Sequence, residues 1–336
     1  MWCQEVDKGK ARLRGEIVLE RARAKYRKLN LQEAYPKKSD TETKVFIRYR
    51  FDKTGRRQLA ALGGAIRGVR DKGIRDILWC AFSRLIIVKN RGVSLAMDVS
   101  HSRPHRAYNK AAARPFREFL KAVNTVLRAI PFEKRREKLP CAQVYCGDAR
   151  ELPLKSGSID MVITSPPYLN AIDYLRGQKF SLVWMGHSIG ALRKLRSSNI
   201  GTETCRLDGT EMERALKDLG ERVRLPGDGE KIQNTLAQYM WDMGRVISEI
   251  ARVVVARGKV IFVIGDSSVR GAFIRNSEIL KELGKEFGLQ LCSIGRRALP
   301  HNRRYLPPPG YERAGKELRR RMREEVILVF EKPGRA

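Results

Sequence analysis

Ile159-Asp160-Met161-Val162-Ile163-Thr164-Ser165-Pro166-Pro167-Tyr168 is the stretch on which the reading of this chain turns. The apolar run Ile159 to Ile163 has the length and composition of a buried strand, and it stops at a polar residue, two prolines and an aromatic. Successive prolines hold φ at about −65° and remove two amide donors. Their carbonyls and the Ser165 hydroxyl are expected to face outward as rigid acceptors, with the flat ring of Tyr168 beside them. Oxygen acceptors next to an aromatic face suit an exocyclic amine on a base swung out of its stack.

Around this turn the C-terminal half alternates short apolar runs with helical patterns, as a βα sheet does. Ala142 to Cys146 reads as a strand ending at Gly147-Asp148. Thr235 to Val255 is a long amphipathic helix with Leu236, Tyr239, Met240, Met243, Val246, Ile247, Ile250 and Val254 on one stripe, and Gly258 fits as the residue just beyond its end. Lys259 to Ile264 is the next strand, Asn276 to Phe287 a helix, Leu289 to Ile294 extended, and Glu325 to Phe330 a last strand. Polar residues at several strand ends match ligand binding at the carboxyl edge of an open α/β sheet.

The N-terminal part differs. Residues 1 to 43 read as a basic helix and then a loop around Pro36. Gln58 to Val69, Gly73 to Val88 and Pro115 to Ala129 carry apolar residues at helical spacing. The division expected is a largely helical basic region, 1–135, and an α/β domain, 136–336, with an insert at about 187–234.

The chain has 336 residues, with 68 Lys plus Arg against 37 Asp plus Glu, a formal charge of +31. So large an excess makes a polyanion, nucleic acid first, the expected partner. No run of about 18 apolar residues or basic-apolar-small leader is visible, so a cytoplasmic protein without membrane attachment is expected. Six cysteines lie scattered without a Cys-x-x-Cys pair, and the four histidines do not cluster with them, which argues against zinc.

The Ser165-Pro166-Pro167-Tyr168 turn resembles motif IV of the DNA amino-methyltransferases, which methylate cytosine N4 or adenine N6. Val144 to Leu154, Ser158 to Trp184, Arg252 to Asp266 and Asn302 to Pro309, with the helix and loop from Asp76 to Arg106, are similar in order to bacterial and archaeal DNA modification methylases. The resemblance implies a Rossmann-like methyltransferase sheet, S-adenosyl-L-methionine as cofactor and double-stranded DNA as substrate. It implies a catalytic role for Ser165, Pro166, Pro167 and Tyr168, and cofactor contacts from Asp148, Thr164 and Asp266. In that family Ser at the first motif position goes more often with cytosine N4. Asp148 reads equally well as a turn or cap carboxylate, and Asp266 as a loop residue.

The family's glycine-rich turn after its first strand is missing here. Gly63, Gly64 and Gly68 sit inside a helical pattern, and Gly265 to Gly271 reads as the exit loop of a later strand. The sheet is therefore expected to be incomplete, and either a partner subunit carries the missing motif or the protein is a decayed form. Candidates for nucleic-acid contact are Asn170 and Arg176 beyond the turn, Arg193 and Arg196 at the start of the insert, and Arg103, His105, Arg303 and Arg304. Lys194, Arg206, Arg214 and Lys217 share the insert. Adenine-N6 methylation, RNA guanine-N2 methylation and a non-catalytic DNA-binding remnant are the competing readings.

Overall fold

The computed structural model describes residues 6–89, 91–100, 104–130, 142–169, 173–202, 208–211, 214, 217, 230–269, 272–299 and 324–334. Two compact units emerge: 1–144 with 173–196, and 145–172 with 197–336.

The first unit is helical: α1 (Lys8–Lys28), α2 (Thr41–Arg50), α3 (Lys53–Arg67), α4 (Lys72–Ile86), α5 (Pro115–Ala129), α6 (Tyr174–Met185) and α7 (Ile189–Ser198), whose last residues pass into the second unit. A two-stranded ribbon, β1 (Ala96–Met97) with β2 (His105–Arg106), lies between α4 and α5 in the chain. Helix starts in this basic chain are set by aspartates. Asp7, Asp40, Asp52, Asp71 and Asp173 each accept an amide from the first turn that follows, which satisfies an otherwise unpaired donor. Asp52 also accepts from Ala111 N at 3.0 Å and pairs with Arg114 at 2.8 Å, tying the start of α3 to the entry of α5. The core is made by Leu59, Leu62, Ile77, Phe82, Phe119, Phe180 and Trp184, all buried. α2 follows the loop expected around Pro36 and lies mostly in a stretch to which the sequence pattern assigned no element; a first turn capped by Asp40 and a buried Ile47 set it.

The second unit holds a four-stranded sheet in the order β3 (Ile159–Thr164), β4 (Val254–Ile264), β8 (Glu324–Glu331), β7 (Gln290–Ala298). β3 runs parallel to β4, with Thr164 opposite Phe262, while β8 is antiparallel to both its neighbours. A hairpin, β5 (Ser267–Val269) and β6 (Ala272–Ile274), follows β4, in the place read as an exit loop. Helices α8 (Glu230–Val253) and α9 (Asn276–Glu286) complete the unit. Leu236, Tyr239, Met243 and Ile247 of α8 and Leu280 of α9 join Val260, Phe262, Ile264, Leu328 and Phe330 in its core. Gly284 is required here: a Cβ would stand 2.6 Å from the Phe330 ring. The expected α/β architecture with a helical N-terminal region is what forms.

Three local expectations are corrected. Ala142 to Cys146 is not a strand; Val144 and Tyr145 stand 81% and 60% exposed, because no described strand lies beside them to complete a ladder. β3 is not buried on both faces, since Met161 is 52% and Ile163 67% exposed and its described ladder partner is β4 alone. Gly258 does not close α8, which runs straight into β4 at Val254. Its reason is close approach, as a Cβ there would lie 2.9 Å from the Asp160 carbonyl oxygen.

Candidate active site

β3 delivers the Ser-Pro-Pro-Tyr turn to the carboxyl end of a parallel strand pair. Ser165 is exposed, Pro166 buried, Pro167 exposed and Tyr168 half-buried, and Leu169 anchors the segment in the core. The two proline carbonyls do not both face outward. That of Pro167 accepts a hydrogen bond from the Tyr239 hydroxyl at 2.9 Å. Tyr239 lies inside the core, and burial pushes its phenol well above the ordinary range, so it remains a donor. The Ser165 hydroxyl and the Pro166 carbonyl keep their acceptor capacity, neither having a partner among the described residues. Tyr168 is held at two points: its hydroxyl donates to Glu325 Oε1 at 3.0 Å, and its ring covers Gly265, where a Cβ would come within 2.8 Å of Cε2.

Asp148 sits in a turn. Its carboxylate accepts from Arg150 N at 2.9 Å and from the Arg150 guanidinium at 2.7 Å, and these bonds hold it below the usual carboxylate range. Arg150 reaches further, to the buried Asp242 at 2.6 Å and the Ser198 carbonyl at 3.0 Å, and its own pKa is raised, first by Asp148 and then by Asp242. Asp266 accepts from both the amide and the hydroxyl of Ser277, at 3.0 and 2.9 Å, and so serves the first turn of α9. Thr164 closes β3 and is half-buried. At the other end of β3 from the turn, Glu249 and Arg252 of α8 clamp the segment leading into the strand: Glu249 accepts from Leu152 N at 2.7 Å, and Arg252 donates to the Leu152 and Leu154 carbonyls at 3.1 and 2.9 Å. Arg252 and this amide hold the Glu249 carboxyl down to about 2.

The nucleic-acid candidates fare unevenly. Arg176 and Arg196 share Asp173, at 3.3 and 2.7 Å, and Arg193 pairs with Glu42. His105 is exposed on β2, and Arg214 and Lys217 are exposed. Asn170, Arg103, Arg206, Arg303 and Arg304 lie outside the described residues. No group of metal-ligating side chains is found, and no helix is long and apolar enough to cross a membrane, both among the described residues. A cavity of about 340 Å³ opens in the second unit, lined by Arg150, Met240, Trp241, Arg245, Glu249 and Phe287. The Ser-Pro-Pro-Tyr turn does not line it.

Sequence reading missed the supports of the turn. Tyr239 looked like one more member of an apolar stripe, and Arg150, Glu249 and Arg252, which hold the segment leading into β3, were given no role of their own. Only Arg150 carried a signal, two positions after an aspartate singled out as functional.

No family model and no curated protein matches the chain. Solved structures of a protein from Thermus thermophilus, described provisionally as a DNA modification methylase, are similar to it. One is 17% identical with a TM-score of 0.29, over 56% of this chain and 52% of that one. A second is 19% identical with a TM-score of 0.30, over 56% and 53%. A third, a complex with S-adenosyl-L-methionine, is 18% identical with a TM-score of 0.29, over 56% and 55%. The chain thus spans about half the length of the structures it matches.

Proposed function

We propose that this chain is the catalytic part of an S-adenosyl-L-methionine-dependent DNA methyltransferase acting on the exocyclic N4 of cytosine. One observation carries the reading: an exposed Ser165 hydroxyl and the Pro166 carbonyl, both without partners among the described residues, stand at the end of a parallel strand beside a Tyr168 ring pinned by Gly265 and Glu325. The bound cofactor would supply a methyl group on a sulfonium, ready for direct transfer. The amine of the base is a poor nucleophile because its lone pair is conjugated into the ring. Ser165 Oγ and the Pro166 carbonyl would accept its two N–H bonds, drawing the nitrogen toward tetrahedral geometry and freeing the lone pair. Tyr168 would stack on the extruded base, and Tyr239, by holding the Pro167 carbonyl, would keep the corner rigid.

The residues present fit the cofactor only in part. Thr164 is placed at the strand end, and Asp148, 47% exposed in its side chain, can still turn an oxygen lone pair outward beside Arg150. Asp266 fits poorly, because its carboxylate already serves α9. No glycine-rich turn lies among the described strands. The outer edge of β3 and the exposed side chains of Met161 and Ile163 support a split enzyme. Parallel strands are normally covered on both faces, so a partner subunit would supply further parallel strands and the glycine-rich turn.

The test incubates duplex DNA and cofactor with the chain, alone and together with the products of neighbouring genes, and reads nucleosides by mass spectrometry. N4-methylcytosine is expected, abolished by Ser165→Ala and by Tyr168→Ala with DNA affinity retained. N6-methyladenine would reassign the base, and structured RNA as the methylated polymer would reassign the substrate. No methylation in any combination, with cofactor binding absent by calorimetry, would leave a DNA-binding remnant.

A further inference from the structure

Arg50, the last residue of α2, is half-buried, and its Nε and Nη1 are buried without a hydrogen-bond partner. A guanidinium withdrawn from water is ordinarily matched by a carboxylate. Here it rests on aromatic rings instead, its Cζ 4.9 Å from the Tyr49 centroid and 5.3 Å from that of Phe180. Arg106 of β2 lies 4.9 Å from the same Tyr49 ring, and Lys179 of α6 lies 5.5 Å from the Phe46 ring, which in turn packs edge-on to Phe180 at 5.2 Å. Cation–π contact holds a cation in place without neutralising it. Asp173, the carboxylate acting on Lys179, is already shared by Arg176 and Arg196. Burial and the charge of Arg50 lower the Lys179 pKa, and burial lowers that of Arg50, with Arg106 adding to it; the three cations strain against one another. All belong to the helical unit.

We propose that Arg50, Arg106 and Lys179, mounted on Tyr49, Phe46 and Phe180, form a built binding site for the phosphodiester backbone of duplex DNA. The rings preorganise the three cations, and an arriving phosphate supplies the anion they lack. The site is independent of the Ser-Pro-Pro-Tyr turn and stands whether or not the chain transfers a methyl group.

The test measures binding of a fluorescent 20-base-pair duplex by the full chain over a range of salt. The variant R50Q/R106Q/K179Q is compared with R12Q/R21Q/K28Q, which removes the same charge from exposed positions of α1. Every phosphate that the protein no longer neutralises lowers the slope of log affinity against log salt by about 0.9, so the site variant is expected to lose about 2 to 3 in slope and at least tenfold in affinity. The α1 variant should lose less than threefold. Equal losses in the two variants, or a slope change below about 1 in the site variant, would overturn the proposal. So would a site variant that keeps its DNA affinity while losing affinity for phosphatidylglycerol vesicles. R50M separates binding from folding: removing a guanidinium with two unpaired buried nitrogens should leave the urea midpoint equal or higher while affinity falls. A lowered midpoint with unchanged affinity would make Arg50 a packing residue.

Discussion

Replacing Arg150 by Met keeps most of the stem's apolar reach and deletes every donor. In the native chain this guanidinium, 10% exposed, bonds Asp148, Asp242 and the Ser198 carbonyl. The three losses differ in size. Asp148 is 47% exposed and rehydrates, so its share is about 0.5 kcal/mol. The Ser198 carbonyl loses one hydrogen bond, about 1 kcal/mol. Asp242 is 2% exposed and loses its Arg150 cation, and breaking a buried ion pair from one side costs about 3 to 5 kcal/mol. The sum falls at about 4.5 to 6.5 kcal/mol, read as a fall in the urea midpoint of the unit containing α8. The double variant R150M/D242L removes both members of the buried pair, and it should recover at least half of the loss. A cost below about 1 kcal/mol for R150M, or a double variant no more stable than the single, would show that the Arg150–Asp242 pair does not organise the approach to β3.

Three further outcomes follow from the same geometry. Gly265→Ala sets a methyl carbon 2.8 Å from the Tyr168 ring, where ordinary contact begins at 3.4 Å, so the ring must retreat by about 0.6 Å. A loss of about 1 to 3 kcal/mol in urea unfolding is expected, and under the proposed function impaired methyl transfer with it; a variant as stable as the parent would mean the ring is not seated there. Gly284→Val should be still more disruptive, since a Cβ meets Phe330 at 2.6 Å, and thermal denaturation should show it. For Glu249 the folded pKa, about 2, lies below the ordinary 4.5. Its stabilisation is therefore complete above the unfolded value and fades as pH falls from there toward 2. The stability difference between parent and E249Q should be full at pH 6 and shrink at pH 4 and 3; a difference independent of pH would deny the Arg252 clamp.

Most helices, and the strands at 259–264 and 325–330, were readable because each buries a periodic face in its own core, whereas the strand at 159–163 was readable only from its apolar run, its burial being overestimated. The aspartate caps were equally local, a side chain answering amides three residues away. Val144 misled because an apolar run becomes a strand only with a neighbour to complete its ladder, and that neighbour is a property of the sheet, not of the run. The catalytic candidate divides the same way. Ser165, Pro166, Pro167 and Tyr168 stand in one continuous motif, so chemistry could be read from their order alone. Which proline carbonyl remains available was settled by Tyr239, 72 positions away in sequence. The Arg50 site was invisible for a related reason: its residues come from α2, β2 and α6, and one charge among 68 basic residues looks like any other until packing strips it of water and partners. Local order thus determined the turn, its rigidity and the helical N-terminal region, because those depend on bonds and near neighbours. Tertiary structure alone decided which oxygens stay open, which carboxylates are consumed as caps and ion pairs, and which cations remain unpaired, because desolvation and pairing depend on groups brought together only by folding.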